Sequence, residues 1–190
     1  RTGAAKVRTE NYLFPALKQA WGDKLDFYSV PWGGRLRDDD QLSGYLSLSR
    51  AQLCRLVGDA GDRPVVVIGH SWGSVVAYQV TRALETESCP GGAPLPSGAI
   101  DLFVSMGSPL GSDLIEQTVK AIPGTVPGQE LLGKPIAKPS TISKWVNISV
   151  KNDLIAAQIA VADANLTWDA GPNAVLRPAR SVPARPAAGQ

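Results

Sequence analysis

The residues best placed to do chemistry are Gly69-His70-Ser71-Trp72-Gly73. A Gly-x-Ser-x-Gly of this kind marks a nucleophile elbow, with a serine held on a sharp strand-to-helix turn and its hydroxyl presented for attack on a carbonyl. Four β-branched residues, Val65 to Ile68, lead into it, and an amphipathic helical pattern leads out. The glycines have a physical reason. The turn forces the serine into a strained backbone conformation, and side chains at positions 69 and 73 would collide with neighbouring elements. The N-terminus of the following helix offers the Trp72 amide to a developing oxyanion. A plain tight turn with Ser71 as helix N-cap is the simpler alternative. The buried strand before and the helix after favour the nucleophile.

A serine nucleophile normally takes its base from a distant histidine. The only histidine here is His70, inside the motif. Adjacent residues at such a turn point differently, so His70 is expected to pack beneath it and not to act as base. Loss of the histidine from a serine-protease triad costs on the order of 10⁶ in turnover. Lys151 is the nearest other basic candidate, as half of a Ser–Lys or Ser–Asp arrangement. A lysine can take that role only when it is buried.

The elements that must position these groups are readable from periodicity. Residues 10–21 carry Leu13, Phe14, Leu17, Ala20 and Trp21 at helical spacing. Residues 25–30 read as a short strand ended by Pro31-Trp32-Gly33-Gly34, and 42–60 as a helix with Leu46, Leu53, Leu56 and Val57 on its apolar stripe. The strand at 65–68 does not alternate, as expected where helices cover both faces. A helix follows over 74–84, with Val76, Val80, Ala83 and Leu84 inward, then a Gly/Pro-rich loop over 88–99 and a strand over 100–106. The proline-rich stretch 107–140 allows one short helix near 114–121. A strand over 145–150 precedes Asn152-Asp153, and 154–161 reads as a helix. Strands and helices alternate, so the fold class is α/β with a mainly parallel sheet flanked by helices. One domain spans residues 1–170. Residues 171–190 are rich in Pro, Ala and Arg with no acidic residue, and are expected to be a poorly ordered tail.

Composition narrows the function. The chain has 190 residues and 44% hydrophobic content, enough for one core. Net charge is +2, from 19 basic and 17 acidic residues, which argues against a nucleic acid or anionic membrane as partner. No apolar run is long enough to span a bilayer, and residue 1 does not open a signal peptide. The chain does not begin with Met, as expected of a processed or trimmed product. One histidine and no Cys-x-x-Cys give no metal site. Cys54 and Cys89 are expected to be free thiols, with a single disulfide as the alternative.

With these residues in view, the chain resembles the α/β-hydrolase family, on its lipase and esterase side. Three segments carry the resemblance: Val-Ile-Gly-His-Ser-Trp-Gly-Ser at 67–74, Phe-Val-Ser-Met-Gly-Ser-Pro-Leu-Gly at 103–111, and Trp-Val-Asn-Ile-Ser-Val-Lys-Asn-Asp-Leu-Ile-Ala at 145–156. The first is by far the most specific. The resemblance implies a serine esterase or lipase acting on carboxylic esters through an acyl-Ser71 intermediate, with the Trp72 amide on the oxyanion. It needs no cofactor and no metal, and its substrate is a small ester or a lipid. The catalytic acid falls at Asp153, just past a strand end; an N-cap for a helix beginning at Leu154 is the alternative for that residue. Asp113 competes, and Asp163 and Asp169 are weaker candidates. Trp32-Gly33-Gly34 also looks family-like, though a plain turn explains it equally well. The 107–140 stretch would line or cover the acyl site.

The sequence departs from the family pattern twice. Residues 154–190 contain no histidine to serve as base, and nothing before Tyr12 reads as the early strand and His-Gly-type loop that supply a second oxyanion amide. The strands at 25–30 and 65–68 must then pair directly or leave a gap, giving a partial α/β-hydrolase fold. A fragment or frameshifted product is the simplest explanation. An exposed sheet edge would also allow homodimerisation. A non-catalytic relative that binds a ligand or a partner protein is the second functional reading.

Overall fold

The computed structural model describes residues 15–20, 26, 28, 39–121, 131, 134–151, 153, 155–169 and 175–178. Residues 15–20 are helical, within the helix expected over 10–21. Of the strand expected over 25–30, only Asp26 and Tyr28 are described, and neither lies in a strand. Trp32-Gly33-Gly34 lies outside the described residues.

The sheet has five strands in chain order: β1 (Val66–His70), β2 (Ile100–Met106), β3 (Ile142–Val150), β4 (Ala164–Asp169) and β5 (Val175–Pro178). The first four run parallel, and β5 returns antiparallel to β4. Helix α1 (Asp39–Ala60) precedes β1, and α2 (Trp72–Ala83) joins β1 to β2. A single 3-10 turn at Pro109–Gly111 and α3 (Leu114–Ala121) fill part of the β2–β3 connection. The long crossovers are what parallel pairing demands. Among the described residues no helix is long and apolar enough to cross a membrane.

The period of two along each strand sorts its side chains onto two faces. On one face Val67, Phe103 and Trp145 lie in register, followed by Gly69, Ser105, Asn147 and Asn165. This face packs against α2, whose Val75, Val76, Tyr78 and Val80 are buried. Trp145 is the centre of the core, with ring centroids 5.6 Å from Tyr78 and 5.2 Å from Phe103. The opposite face carries Val66, Ile68, Val150 and Trp168, which are 40–48% exposed. The expectation that both faces of β1 are covered therefore holds for one face. On its outer side β1 has no strand partner among the described residues, and most of the 25–30 segment expected to pair there lies outside them.

Three expectations are corrected. Cys54 and Cys89 form a disulfide, with Cα atoms 5.7 Å apart, tying α1 to the 88–99 loop. Neither cysteine carries a local signal for this, because the pairing depends on the loop folding back over the helix. The helix expected over 154–161 does not form: residues 155–159 are irregular and 160–161 turn. Side chains from the sheet capture that segment's backbone instead. Asn147 Nδ2 donates to Ala157 O at 3.0 Å, and Asn165 brackets Ile159 through both its N–H (2.9 Å) and its carbonyl (3.0 Å). These tertiary bonds outweigh a modest helical preference. Finally, β4 lies where no strand was expected; of residues 171–190 only 175–178 are described, and they form β5.

Candidate functional site

The site assembles where the carboxyl ends of β1, β2 and β3 meet, the crevice in which open α/β sheets place ligands. Ser71 is the residue between β1 and α2. It has φ 51° and ψ −131°, the only positive φ outside glycine among the described residues. Its amide donates to Met106 O at 2.8 Å, and its carbonyl accepts from Ser74 N at 2.9 Å and Ser74 Oγ at 2.5 Å. Although Ser71 occupies the N-cap position of α2, its side chain makes no capping bond. The hydroxyl is thus not engaged in the structural role that was its simpler explanation. Trp72 opens the helix, where an amide has no intrahelical partner.

Gly69 shows why the turn needs glycine. A Cβ there would lie 2.5 Å from Ser74 Cα, a backbone atom that cannot step aside without moving α2. Two residues not singled out from the sequence hold the turn in place. Ser74 and Ser108 are fully buried with their hydroxyls 2.7 Å apart, and Ser108 Oγ accepts from Leu110 N at 3.3 Å. A chain of hydroxyls therefore runs from the Ser71 carbonyl to the turn after β2. The Ser-Pro pair at 108–109 is the one sequence signal for it, as a turn initiator.

Asp153 follows β3 and is half-buried. Its Oδ1 accepts from Ile155 N at 2.8 Å and Ala156 N at 3.2 Å. The carboxylate thus caps a turn, while the helix foreseen at Leu154 does not form. Its other oxygen, Oδ2, faces Gly107. That glycine has φ +55°, and a Cβ on it would sit 3.9 Å from Asp153 Oδ2 and 3.7 Å from His70 Nε2. His70 is exposed, which corrects the expectation that it packs beneath the turn.

The competing carboxylates are placed elsewhere. Asp163 accepts from Trp145 N at 2.7 Å and from Lys138 Nζ at 3.0 Å. The Trp145 amide first, and then the Lys138 ammonium, hold its carboxyl below the usual range. Asp169 is ion-paired with Lys151 at 3.1 Å. Lys151 is exposed, which is not the buried amine that a Ser–Lys pair requires. Asp113 is exposed and lines a cavity of about 330 Å³ with Leu110, Ile136, Ile159 and Val161. Ser71 does not line this cavity.

A family model described as alpha/beta hydrolase family matches residues 13–188. No curated protein matches the chain, and no solved structure does.

Proposed function

The chain belongs to the α/β-hydrolase family, with a partial form of its sheet, and from that premise we propose that it is a serine hydrolase of esterase or lipase type. The observation that carries the reading is Ser71, a non-glycine residue held at φ 51° between strand and helix with its side chain making no capping bond. Strain of this kind costs about 1–3 kcal/mol and persists where surrounding structure enforces it. Here the Met106 carbonyl, the Ser74 hydroxyl and the close approach at Gly69 do so.

On this reading Ser71 Oγ attacks the carbonyl carbon of a carboxylic ester. The Trp72 amide, in the first turn of α2, donates to the oxyanion, and the helix N-terminus favours the developing negative charge. Collapse of the tetrahedral species expels the alcohol, and water hydrolyses the acyl-Ser71 ester. Asp153 is the acid, its Oδ1 anchored by two amides and its Oδ2 directed at the site. The base is a replacement for the usual distal histidine or is supplied from outside the chain. The 107–140 stretch would line or cover the acyl site.

Fluorophosphonate labelling of the folded chain tests this, with the adduct located by peptide mass spectrometry and Ser71→Ala as control. An adduct on Ser71 is expected, and a folded sample without one overturns the reading. The absence of a histidine from residues 154–190 favours a second reading, a ligand-binding relative without turnover. Saturable binding of a fatty acid by a chain that takes no label would establish it.

A further inference from the structure

We propose, on the serine-hydrolase reading above, that Ser74 and Ser108 are positioning residues for the Trp72 amide. Acting in series, their hydroxyls hold the Ser71–Trp72 peptide so that its N–H faces the forming oxyanion. The observation that carries this is a pair of buried hydroxyls joined to one carbonyl. Ser74 and Ser108 are both 0% exposed, and their oxygens lie 2.7 Å apart. Ser74 Oγ reaches Ser71 O at 2.5 Å, and Ser108 Oγ accepts from Leu110 N at 3.3 Å.

The direction of the chain follows from its protons. A hydroxyl has one proton to give, and a carbonyl can only accept. Ser74 therefore donates to Ser71 O, and Ser108 donates to Ser74 Oγ. Hydrogen bonds arranged head to tail polarise one another, so the bond on Ser71 O is strengthened by those behind it. Alanines of nearly the same size would fill both sites with no polar group to satisfy.

What the chain controls is a peptide plane. Ser71 O and Trp72 N–H belong to one rigid unit, and its trans geometry points them in opposite directions. Ser71 O is fixed by two donors, Ser74 N at 2.9 Å and Ser74 Oγ. The Trp72 N–H is thereby turned away from the buried serines, out of the N-terminal end of α2. At φ 51° and ψ −131° the Ser71 backbone does not rest in a favoured well, so these bonds hold the plane where it is. The far end of the chain is fixed as well. Gly107 N donates to Ile148 O at 2.9 Å, and Pro109 is fully buried. The aim of the oxyanion donor thus depends on the turn after β2, through two side chains that touch no substrate.

The experiment measures fluorophosphonate labelling at Ser71 over a range of probe concentrations, giving a maximal rate kinact and a half-saturating concentration KI. The variants are Ser74→Ala, Ser108→Ala, the two combined, and Ser108→Thr, with melting temperatures to verify folding. Loss of an oxyanion donor costs about 10²–10³ in turnover, so a donor kept but mis-aimed should lower kinact by ~10-fold or more. KI should not change, since no group that meets the probe is removed. The combined variant should label at the rate of Ser74→Ala alone, because Ser108 acts only through Ser74. Ser108→Thr keeps the hydroxyl on an extended backbone (φ −84°, ψ 133°) that suits a β-branched residue, and should regain kinact. Joint replacement of Cys54 and Cys89 by Ser is the control, expected to lower the melting temperature and keep kinact.

Alanine variants with wild-type kinact overturn the positioning role. So do penalties that multiply in the combined variant, a loss in KI in place of kinact, or a folded Ser108→Thr as slow as Ser108→Ala. A disulfide variant as slow as Ser108→Ala would tie labelling to stability and overturn it too. In each of these cases the labelled wild type leaves Ser71 as the nucleophile. A folded wild type that takes no label overturns the serine-hydrolase reading, and this inference with it.

Discussion

Two polar clusters sit on the same strands and treat their hydrogen-bonding groups differently. In the core, Trp145 Nε1 donates to Ser105 Oγ, Ser105 Oγ donates to Asn147 Oδ1, and Asn147 Nδ2 donates to Asn165 Oδ1 and Ala157 O, all within 2.9–3.0 Å. Asn165 completes the set on Ile159. At the carboxyl ends of the same strands, Ser71 Oγ makes no capping bond, Asp153 turns one oxygen to a gap, and His70 is exposed beside it. A buried polar group left unpaired is costly, so the first cluster is closed on itself. Reactive groups must keep a lone pair or proton available, so the second is left open.

The largest test of this contrast is Asn147→Leu. It removes an acceptor for Ser105 and donors for Asn165 and Ala157 in a site that is 1% exposed. The expected loss is roughly 4–5 kcal/mol, measured by urea denaturation. Asp153→Asn, by contrast, keeps the Oδ1 acceptor for Ile155 and Ala156 and should leave the denaturation midpoint within about 0.5 kcal/mol of wild type. Equal destabilisation by the two changes would erase the distinction between the clusters.

Joint replacement of Cys54 and Cys89 by Ser comes next. Their sequence separation is 35, and closing a loop of that length in the unfolded chain contributes about 3–4 kcal/mol. The loss should be global, since the bridge joins α1 to the 88–99 loop and not to either polar cluster. A melting temperature unchanged by reduction would contradict this.

Much of the architecture was legible because it follows from local pattern. The β-branched run at 65–68, the stripe of Val76, Val80 and Leu84, and the 100–106 and 114–121 segments all appear within a few residues of expectation. What was missed depends on contacts far apart in sequence. Nothing near Cys54 announces Cys89, and the 154–161 segment loses its helix to asparagines on β3 and β4. Ala164–Asp169 has weak strand propensity and forms β4 by pairing with β3. Ser71 and Asp153 could be singled out because motif and strand-end position are sequence properties. The approach of His70 and Asp153 to Gly107 could not, because it depends on the register that sets His70 beside Met106.

Gly69→Ala tests the elbow from below. The added methyl meets the backbone of Ser74 at 2.5 Å, so α2 must shift or the turn must open. Overpacking of this sort costs about 1–3 kcal/mol. Labelling at Ser71 should fall by more than the stability change explains, because the serine rides on the displaced turn. A variant that is destabilised yet labels at the wild-type rate would show that the turn's geometry does not govern the nucleophile.

Asp163 gives the smallest effect and the finest comparison, as a carboxylate wholly committed to structure beside Asp153, which is only half committed. The Trp145 amide and Lys138 stabilise its charged form in the folded chain and hold its carboxyl below the usual range. A group depressed on folding contributes stability above its unfolded pKa and loses it as pH falls through the folded one. The wild type should therefore lose this contribution in acid, below the ordinary range of an aspartate. The side chain is 39% exposed, so solvent screens the pair. Asp163→Asn keeps an acceptor for the Trp145 amide and should cost under about 1 kcal/mol at neutral pH. It should also flatten the acid limb of the stability curve, because the variant has no proton to take up there. An acid limb as steep in the variant as in the wild type would assign the acid sensitivity to other carboxylates and leave Asp163 as a neutral hydrogen-bond acceptor.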